Sequence, residues 1–367
     1  MKIKSQRILI VGGGTGGHVY PALAVANELV KQGVSKTAIR FIGARRGLEA
    51  TVIPAAGFSI DLLLGRGLKR SFSPLALLAN AAAIFGISVA CVQAIWIVGR
   101  FRPTVVFGVG GYASWPGVLA ARIWFKPTVI HEQNVAPGLI NRLAVRLGAV
   151  PTVSLPGTAL PGAHITGNPV RPELFSINHD SDVDPPLVVI TGGSLGARRL
   201  NDAGLDLYAR WRARQDIAIQ LITGPADFDR CTEKMQEQRK DDDYLNFSIV
   251  RYEKNMAEIY SRSTIIVSRS GATTCAELSA SASAAILVPF PRATDDHQSR
   301  NAQALVDVGA AVVINDQELT GERLGWELRS ILDDPARIDR MRQASALLAQ
   351  PEASARVVEV IERVGRG

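Results

Sequence analysis

Two Rossmann-like α/β domains in tandem, each a doubly wound parallel sheet with helices on both faces, are what this sequence predicts, on three observations. The chain has 367 residues, two or three times the usual domain size and enough for two cores. A cassette of strand, glycine turn and helix occurs twice, about 180 residues apart. Short Val- and Ile-rich runs alternate with helical patterns through both halves, the rhythm of parallel sheets covered on both sides. Hydrophobic residues make up 47%, charged residues 20%, and the 33 glycines are spread along the chain. Disorder, collagen and low complexity are thereby excluded.

The first cassette runs from the strand Ile8-Leu9-Ile10-Val11 through Gly12-Gly13-Gly14-Thr15-Gly16-Gly17 into a helix ending near residue 32. Leu23, Val25, Ala26, Leu29 and Val30 lie on one side of that helix. Basic residues before the strand imitate a secretory leader. The glycines interrupt the apolar run at once and no small-residue cleavage site follows, so the protein is expected to stay inside the cell. Strands at 38–42, 58–64, 104–109, 127–131 and 163–166 complete the first half. The acidic, proline-bearing stretch from Asn178 to Pro186 reads as a solvated linker; its Asp-x-Asp spacing is also that of a metal site, the less favoured reading.

The second cassette is Leu187-Val188-Val189-Ile190-Thr191, then Gly192 to Gly196, then a helix through Leu200, Leu205 and Leu207. Strands follow at 217–223, 246–250, 264–267, 285–290 and 311–314, and 335–365 reads as one or two helices. The expected division is therefore a first domain over 1–168, a linker over 169–186 and a second domain over 187–346. A terminal helix at about 347–367 is free to pack back on the first domain.

Charge is uneven. Residues 1–168 carry 17 Lys and Arg against 4 Asp and Glu, a balance of +13, while the rest carries 24 against 30, a balance of −6. The basic half should face something anionic. No recognition-helix, finger or RNP-type pattern points to nucleic acid, whereas an anionic membrane surface or a phosphorylated substrate fits. Residues 71–99 contain no charged side chain, and Arg66, Lys69, Arg70, Arg100 and Arg102 flank them. The length suits a membrane span, but one crossing would part the strands at 58–64 and 104–109, which belong to one sheet. Two readings remain: a buried helix of the sheet layer, or a helix whose outer apolar face dips into a membrane. Cys91, Cys231 and Cys275 are odd in number and lack metal-type pairing, which suits packing residues in a reducing compartment.

Gly12, Gly14 and Gly17 fit G-x-G-x-x-G between a strand and a helix, where the backbone can approach a diphosphate at a positive helix start. A dinucleotide enzyme places an acidic residue at the end of the second strand. Gly43-Ala44-Arg45-Arg46 stand there instead, which disfavours NAD and leaves NADP as a minor option. His18, beside this loop, is either a capping histidine or, the preferred reading, a neutral imidazole that accepts a proton from a hydroxyl nucleophile. The run Ser268 to Glu277 opens another helix with small and hydroxyl side chains. It is either an ordinary capped helix or a diphosphate seat, with Glu277 one turn in for ribose hydroxyls. Asp295 to Asn301 is a polar helix start whose amide and imidazole groups suit a sugar.

Gly12 to Pro21, Gly108-Val109-Gly110-Gly111-Tyr112, His131-Glu132-Gln133-Asn134, Gly167-Asn168-Pro169-Val170-Arg171, Gly192-Gly193-Ser194, Arg269-Ser270-Gly271-Ala272 and Asp296-His297-Gln298 stand in a telling order. Over nearly its whole length the chain resembles the peptidoglycan N-acetylglucosaminyltransferases that convert lipid I into lipid II. The resemblance implies a GT-B fold, two Rossmann-like domains facing across a cleft. It implies UDP-N-acetylglucosamine on the C-terminal domain and lipid I on the N-terminal one, with inverting transfer to the muramoyl 4-hydroxyl. Thr15, Gly16, Gly17, Asn134, Arg171, Ser194, Ala272, Thr273, Thr274, Cys275, Ala276, Glu277 and Gln298 are then expected to contact the sugar nucleotide or line its site. His18 and Glu132 become the catalytic groups on the acceptor side.

The resemblance also implies no cofactor and no obligatory metal, peripheral attachment to an anionic membrane at its cytoplasmic face, and contacts with other cell-wall enzymes. Leu195 stands where the family commonly has Gln, and Tyr252 to Met256 replace a more apolar segment beside uracil, which backbone groups are expected to hold. Two rivals stay open: another GT-B UDP-sugar enzyme, such as a lipid glycosyltransferase or an epimerase, and a non-catalytic sugar-nucleotide-binding protein.

Overall fold

The computed structural model describes residues 3–64, 74–179, 184–291, 293 and 296–366. Arg66, Lys69, Arg70, the middle of the acidic linker (180–183) and Asp295 lie outside them. The chain forms two compact units, Met1–Arg171 together with Glu352–Gly367, and Pro172–Pro351.

In the first unit the elements run β1 (Ile8–Val11), α1 (Gly16–Lys31), β2 (Ile39–Ala44), α2 (Glu49–Ala55), β3 (Ser59–Leu63), α3 (Pro74–Phe101), β4 (Val105–Gly108), α4 (Trp115–Ile123), β5 (Thr128–Glu132), α5 (Leu139–Arg146), β6 (Val150–Val153) and β7 (His164–Ile165). Among the described residues they build a parallel seven-stranded sheet in the order β3-β2-β1-β4-β5-β6-β7. Every residue of β1 and β4 is buried. Helices cover both faces, which is why these strands read as unbroken apolar runs rather than alternating ones.

Strand β6 is a correction to the sequence reading, which has no strand at 150–153. Pro151 interrupts the run and cannot donate to a ladder, yet β6 pairs with β5 along its length and with β7 only from Thr152 onward. The run at 163–166 is likewise shortened to the two residues of β7.

Helix α3 buries Ala90, Ala94, Ile97, Val98 and Phe101 in the core that covers β1 and β4. Strands β3 and β4 sit in one sheet on either side of it in sequence. No helix among the described residues is long and apolar enough to cross a membrane.

The second unit runs β8 (Leu187–Thr191), α6 (Arg198–Trp211), β9 (Ala218–Ile222), α7 (Phe228–Gln238), β10 (Asn246–Val250), α8 (Met256–Arg262), β11 (Ile265–Ser268), α9 (Ala272–Ala280), β12 (Ala285–Leu287), α10 (His297–Asp307), β13 (Ala311–Val313), α11 (Gly321–Leu332) and α12 (Pro335–Ala346). Its parallel sheet has the order β10-β9-β8-β11-β12-β13 among the described residues. The segment expected as one or two helices is two. The second, α13 (Ala353–Arg366), belongs to the first unit, where Val357, Val358, Val360 and Ile361 join the core around α1.

Both sheets are wound outward in two directions from one strand. The topological switch points therefore fall between β1 and β4 and between β8 and β11, where ligands bind at the carboxyl ends of strands. The registers Val11 with Gly108 and Thr191 with Ser268 put each pair of following loops side by side within its own unit.

Candidate active site

In the first unit the loops after β1, β4 and β5 converge on His18. Gly12, Gly13 and Gly14 have φ of 138°, 149° and 101°, conformations that only glycine adopts readily. The loop after β4 presses against them: a Cβ on Gly111 would lie 2.7 Å from the Gly13 carbonyl oxygen. His18 stands in the first turn of α1, half-buried, with Thr15 Oγ1 3.2 Å from its Nδ1. Cβ atoms at Gly110 or Gly111 would come 3.5 Å from its ring, ordinary van der Waals contact, so these two glycines lie directly beside the imidazole. Burial pulls the His18 pKa below its ordinary value, against the opposing pull of Glu132 and Glu49. A neutral ring is therefore its state at neutral pH.

Glu132 ends β5 and is buried. Its Oε1 accepts from Asn134 N–H at 3.0 Å and Nδ2 at 3.2 Å, and its Oε2 from Gly138 N–H at 2.9 Å and Asn141 Nδ2 at 2.8 Å. Four donors hold the carboxylate at the start of α5 and fix Asn134 beside it. Neighbouring His131 is buried between Thr152 and Ser154 hydroxyls, and desolvation pushes its pKa down to about 4. It is a neutral core residue. Arg171 closes this unit with its guanidinium carbon 4.7 Å from the Tyr20 ring centroid.

Glu49 is a member of this cluster that sequence reasoning missed. Its carboxylate accepts from Gly14 N–H and from Ala44 N–H, each at 2.8 Å. The Gly14 N–H of the first glycine loop is thus taken by an anion of the protein itself. No spacing rule marks Glu49; the signal is the three glycines, Gly13, Gly43 and Gly47, that surround it in space.

In the second unit, Gly192 to Gly196 turn from β8 into α6, and Ser194 lies half-buried on that turn. A Cβ on Gly196 would stand 2.0 Å from the Thr223 carbonyl oxygen, so the loop after β9 can approach only glycine there. Asn201, also missed by sequence reasoning, is buried and donates to Thr223 O at 3.0 Å and Asp227 Oδ2 at 2.7 Å, which ties the two loops together.

Beside them α9 is capped by Gly271, which brings no side-chain acceptor to its first turn. Thr273, Cys275 and Glu277 are buried, and Ala272, Thr274 and Ala276 half-buried. Tyr260 OH donates to Glu277 Oε2 at 3.2 Å. Desolvation raises the Cys275 thiol to about 12, which leaves it an inert packing group. Ser270 Oγ donates to the Gln298 carbonyl oxygen at 2.9 Å, and Asn301 Nδ2 to Ser270 O at 3.1 Å. The starts of α9 and α10 are thereby joined. Arg269, paired with Asp316 at 2.6 Å, anchors the same loop from behind. Gln298 Oε1 accepts from Phe290 N–H at 2.9 Å.

Residues 8–149 match the glycosyltransferase family 28 N-terminal domain and residues 187–357 its C-terminal domain. A relative from Desulforudis audaxviator is 37% identical over 99% of this chain and 100% of its own length. It is named UDP-N-acetylglucosamine–N-acetylmuramyl-(pentapeptide) pyrophosphoryl-undecaprenol N-acetylglucosamine transferase. A Desulfitobacterium hafniense protein of the same name is 35% identical over 97% of this chain and 98% of its own. The chain belongs to this N-acetylglucosaminyltransferase family. The crystal structure of Acinetobacter baumannii MurG, 28% identical, covers 98% of this chain and 99% of its own with a TM-score of 0.70. In a transferase of this family, the two Rossmann-like units are those of the GT-B fold.

Proposed function

We propose that the chain transfers N-acetylglucosamine from UDP-N-acetylglucosamine to the muramoyl 4-hydroxyl of undecaprenyl-pyrophosphoryl-N-acetylmuramyl-pentapeptide, with inversion. The observation that carries this reading is end-to-end similarity, at 35% and 37% identity, to relatives named for that reaction. The acceptor oxygen attacks the anomeric carbon, the bond from that carbon to the β-phosphate oxygen breaks, and its electron pair leaves with UDP. His18 takes the hydroxyl proton. With its own proton on Nδ1 toward Thr15, its Nε2 lone pair is left to act as the base. Glu132, saturated by four donors, serves to hold Asn134 and the start of α5 rather than to accept a proton.

The second unit supplies the donor seat. Ser194, Ala272 to Glu277 and Gln298 surround the starts of α6, α9 and α10, whose positive dipole ends favour a diphosphate. Arg171 neutralises charge that develops on the leaving UDP, and Thr15, Gly16 and Gly17 keep their proposed role as contacts of the sugar nucleotide. Release of UDP on addition of a lipid I analogue tests the assignment; no release with either substrate saturating would refute it.

Gln298 is proposed to read the sugar, since its Oε1 is taken by Phe290 and its Nε2 remains to donate to a ring hydroxyl. Gln298→Ala is expected to weaken UDP-N-acetylglucosamine binding and leave UDP affinity nearly unchanged in parallel titrations. Equal losses for both ligands would put the residue elsewhere in the site.

The acceptor's membrane is approached by the first unit. Along α3, Phe85, Val92 and Trp96 are exposed, at 73%, 69% and 67%, and at the end of α4 Trp124 and Phe125 are exposed at 47% and 83%. Trp124 Nε1 donates to Ile95 O at 2.9 Å, which joins the two helices into one apolar ridge. Arg100, Arg102, Arg122 and Lys126 border it in sequence. Such a ridge fits insertion into the interface of an anionic bilayer. Each basic residue adds about 1 kcal/mol near the surface, an attraction that salt screens. The purified protein should float with anionic vesicles at low salt and be released only in part by high salt. Failure to float at low salt would sink the idea.

A further inference from the structure

We infer that Glu49 is a positioning residue of the transfer reaction: its carboxylate clamps the first glycine loop in the shape that offers Thr15 and His18 to the acceptor hydroxyl. The inference rests on the transferase reading above.

Glu49 opens α2 and is 1% exposed, and a carboxylate is buried at high cost unless hydrogen bonds meet it. They do. Oε2 takes the Gly14 N–H and Oε1 the Ala44 N–H, so one side chain ties the turn after β1 to the end of β2. The space it occupies is made by glycines. A Cβ on Gly13 would come 2.3 Å from Glu49 Cδ, one on Gly43 2.4 Å from Cγ, and one on Gly47 2.1 Å from Oε2. No side chain tolerates such distances from a carboxylate. Three glycines from three loops and strands thus share one evident purpose, room for this group.

A glycine turn before a helix ordinarily offers its N–H groups to a phosphate. Here the Gly14 N–H is already taken by an anion of the chain, and the fixed negative charge repels a second one at that point. The loop accordingly works at Gly14 as a mount for His18, four residues on, rather than as a seat for the acceptor's diphosphate. The same charge acts on the base. Glu49 from α2 and Glu132 from β5 both favour protonated His18, while burial opposes them. Tyr112, after β4, is itself raised by burial and by Glu49.

The test is steady-state kinetics of the full chain with UDP-N-acetylglucosamine and a lipid I analogue for Glu49→Gln, Glu49→Asp and the wild type. Turnover by the wild type checks the transferase reading separately. The Gln variant keeps the shape but turns an NH2 group toward a backbone donor. Its kcat is expected to fall about 10- to 100-fold, the loss that follows when a catalytic group is displaced by roughly an ångström. UDP affinity and KM for the donor should stay at the wild-type value. The acid limb of kcat/KM should move to lower pH in Glu49→Gln and remain in place in Glu49→Asp, which keeps the charge but loses reach. Wild-type kcat in the Gln variant would overturn the inference. So would a lowered melting temperature with normal kcat per folded molecule, which would make Glu49 a stability residue alone, and so would a loss of donor affinity matching the loss of kcat.

Discussion

Replacing His18 with Ala is expected to lower kcat about 10²- to 10⁴-fold, the usual contribution of a general base, with affinity for UDP-N-acetylglucosamine left nearly intact. The split follows from position. His18 belongs to the first unit, at the start of α1, and the proposed donor seat lies at α6, α9 and α10 of the second. The expected pH dependence has a definite sign. Burial lowers the His18 pKa from its ordinary 6.5, so the neutral ring that the proposed base role needs persists below that value and is lost only as pH falls through the lowered one. The acid limb of kcat/KM for the wild type should lie below pH 6.5 and vanish in His18→Ala. Kinetics over pH with a lipid I analogue, beside a UDP titration, check both parts. Unchanged turnover in a folded His18→Ala protein would return this residue to loop architecture.

Cutting Glu277 back to Ala is expected to weaken UDP itself, not only the sugar nucleotide. Tyr260 OH orients its carboxylate at 3.2 Å, and the site is only 8% exposed, so ribose hydroxyls left without this acceptor lose a hydrogen bond in a largely dry place. That loss is about 1–3 kcal/mol, or roughly one to two powers of ten in Kd. Titration calorimetry with UDP and with UDP-N-acetylglucosamine should give similar losses. Intact UDP affinity would show that the ribose is held elsewhere.

Both glycine cassettes are legible in the sequence because apolar run, glycine cluster and helical period follow one another directly, and backbone chirality leaves few other shapes for them. His18 and Glu277 are legible for the same reason: each lies within two turns of a glycine that starts a helix. What is not legible comes from contacts between distant parts of the chain. Glu49 reaches Gly14 across 35 positions and Asn201 reaches Thr223 across 22, and no local pattern says that either side chain folds back. Strand β6 owes its existence to β5 and β7 on either side rather than to Val150-Pro151-Thr152-Val153. The exposed ridge of α3 and α4 is half legible. The uncharged stretch marks it, but only the burial of Ala90, Ala94 and Val98 decides which face points outward.

Helix α13 has a consequence for how the chain is made. Val357, Val358, Val360 and Ile361 complete the core of the first unit, and Glu362 accepts from Ile3 N–H at 3.2 Å, so segments from before and after Pro172–Pro351 seal one structure. Burying each of these apolar side chains contributes about 1.5–3 kcal/mol. The ribosome delivers them only after Pro172–Pro351. While Pro172–Pro351 is being synthesised the first unit stands with an open apolar seam, whereas that second unit, continuous in sequence, holds all of its own core before α13 is made. The half that is translated first is therefore the half that finishes folding last, and a nascent chain stalled before residue 353 would expose the surface that chaperones recognise.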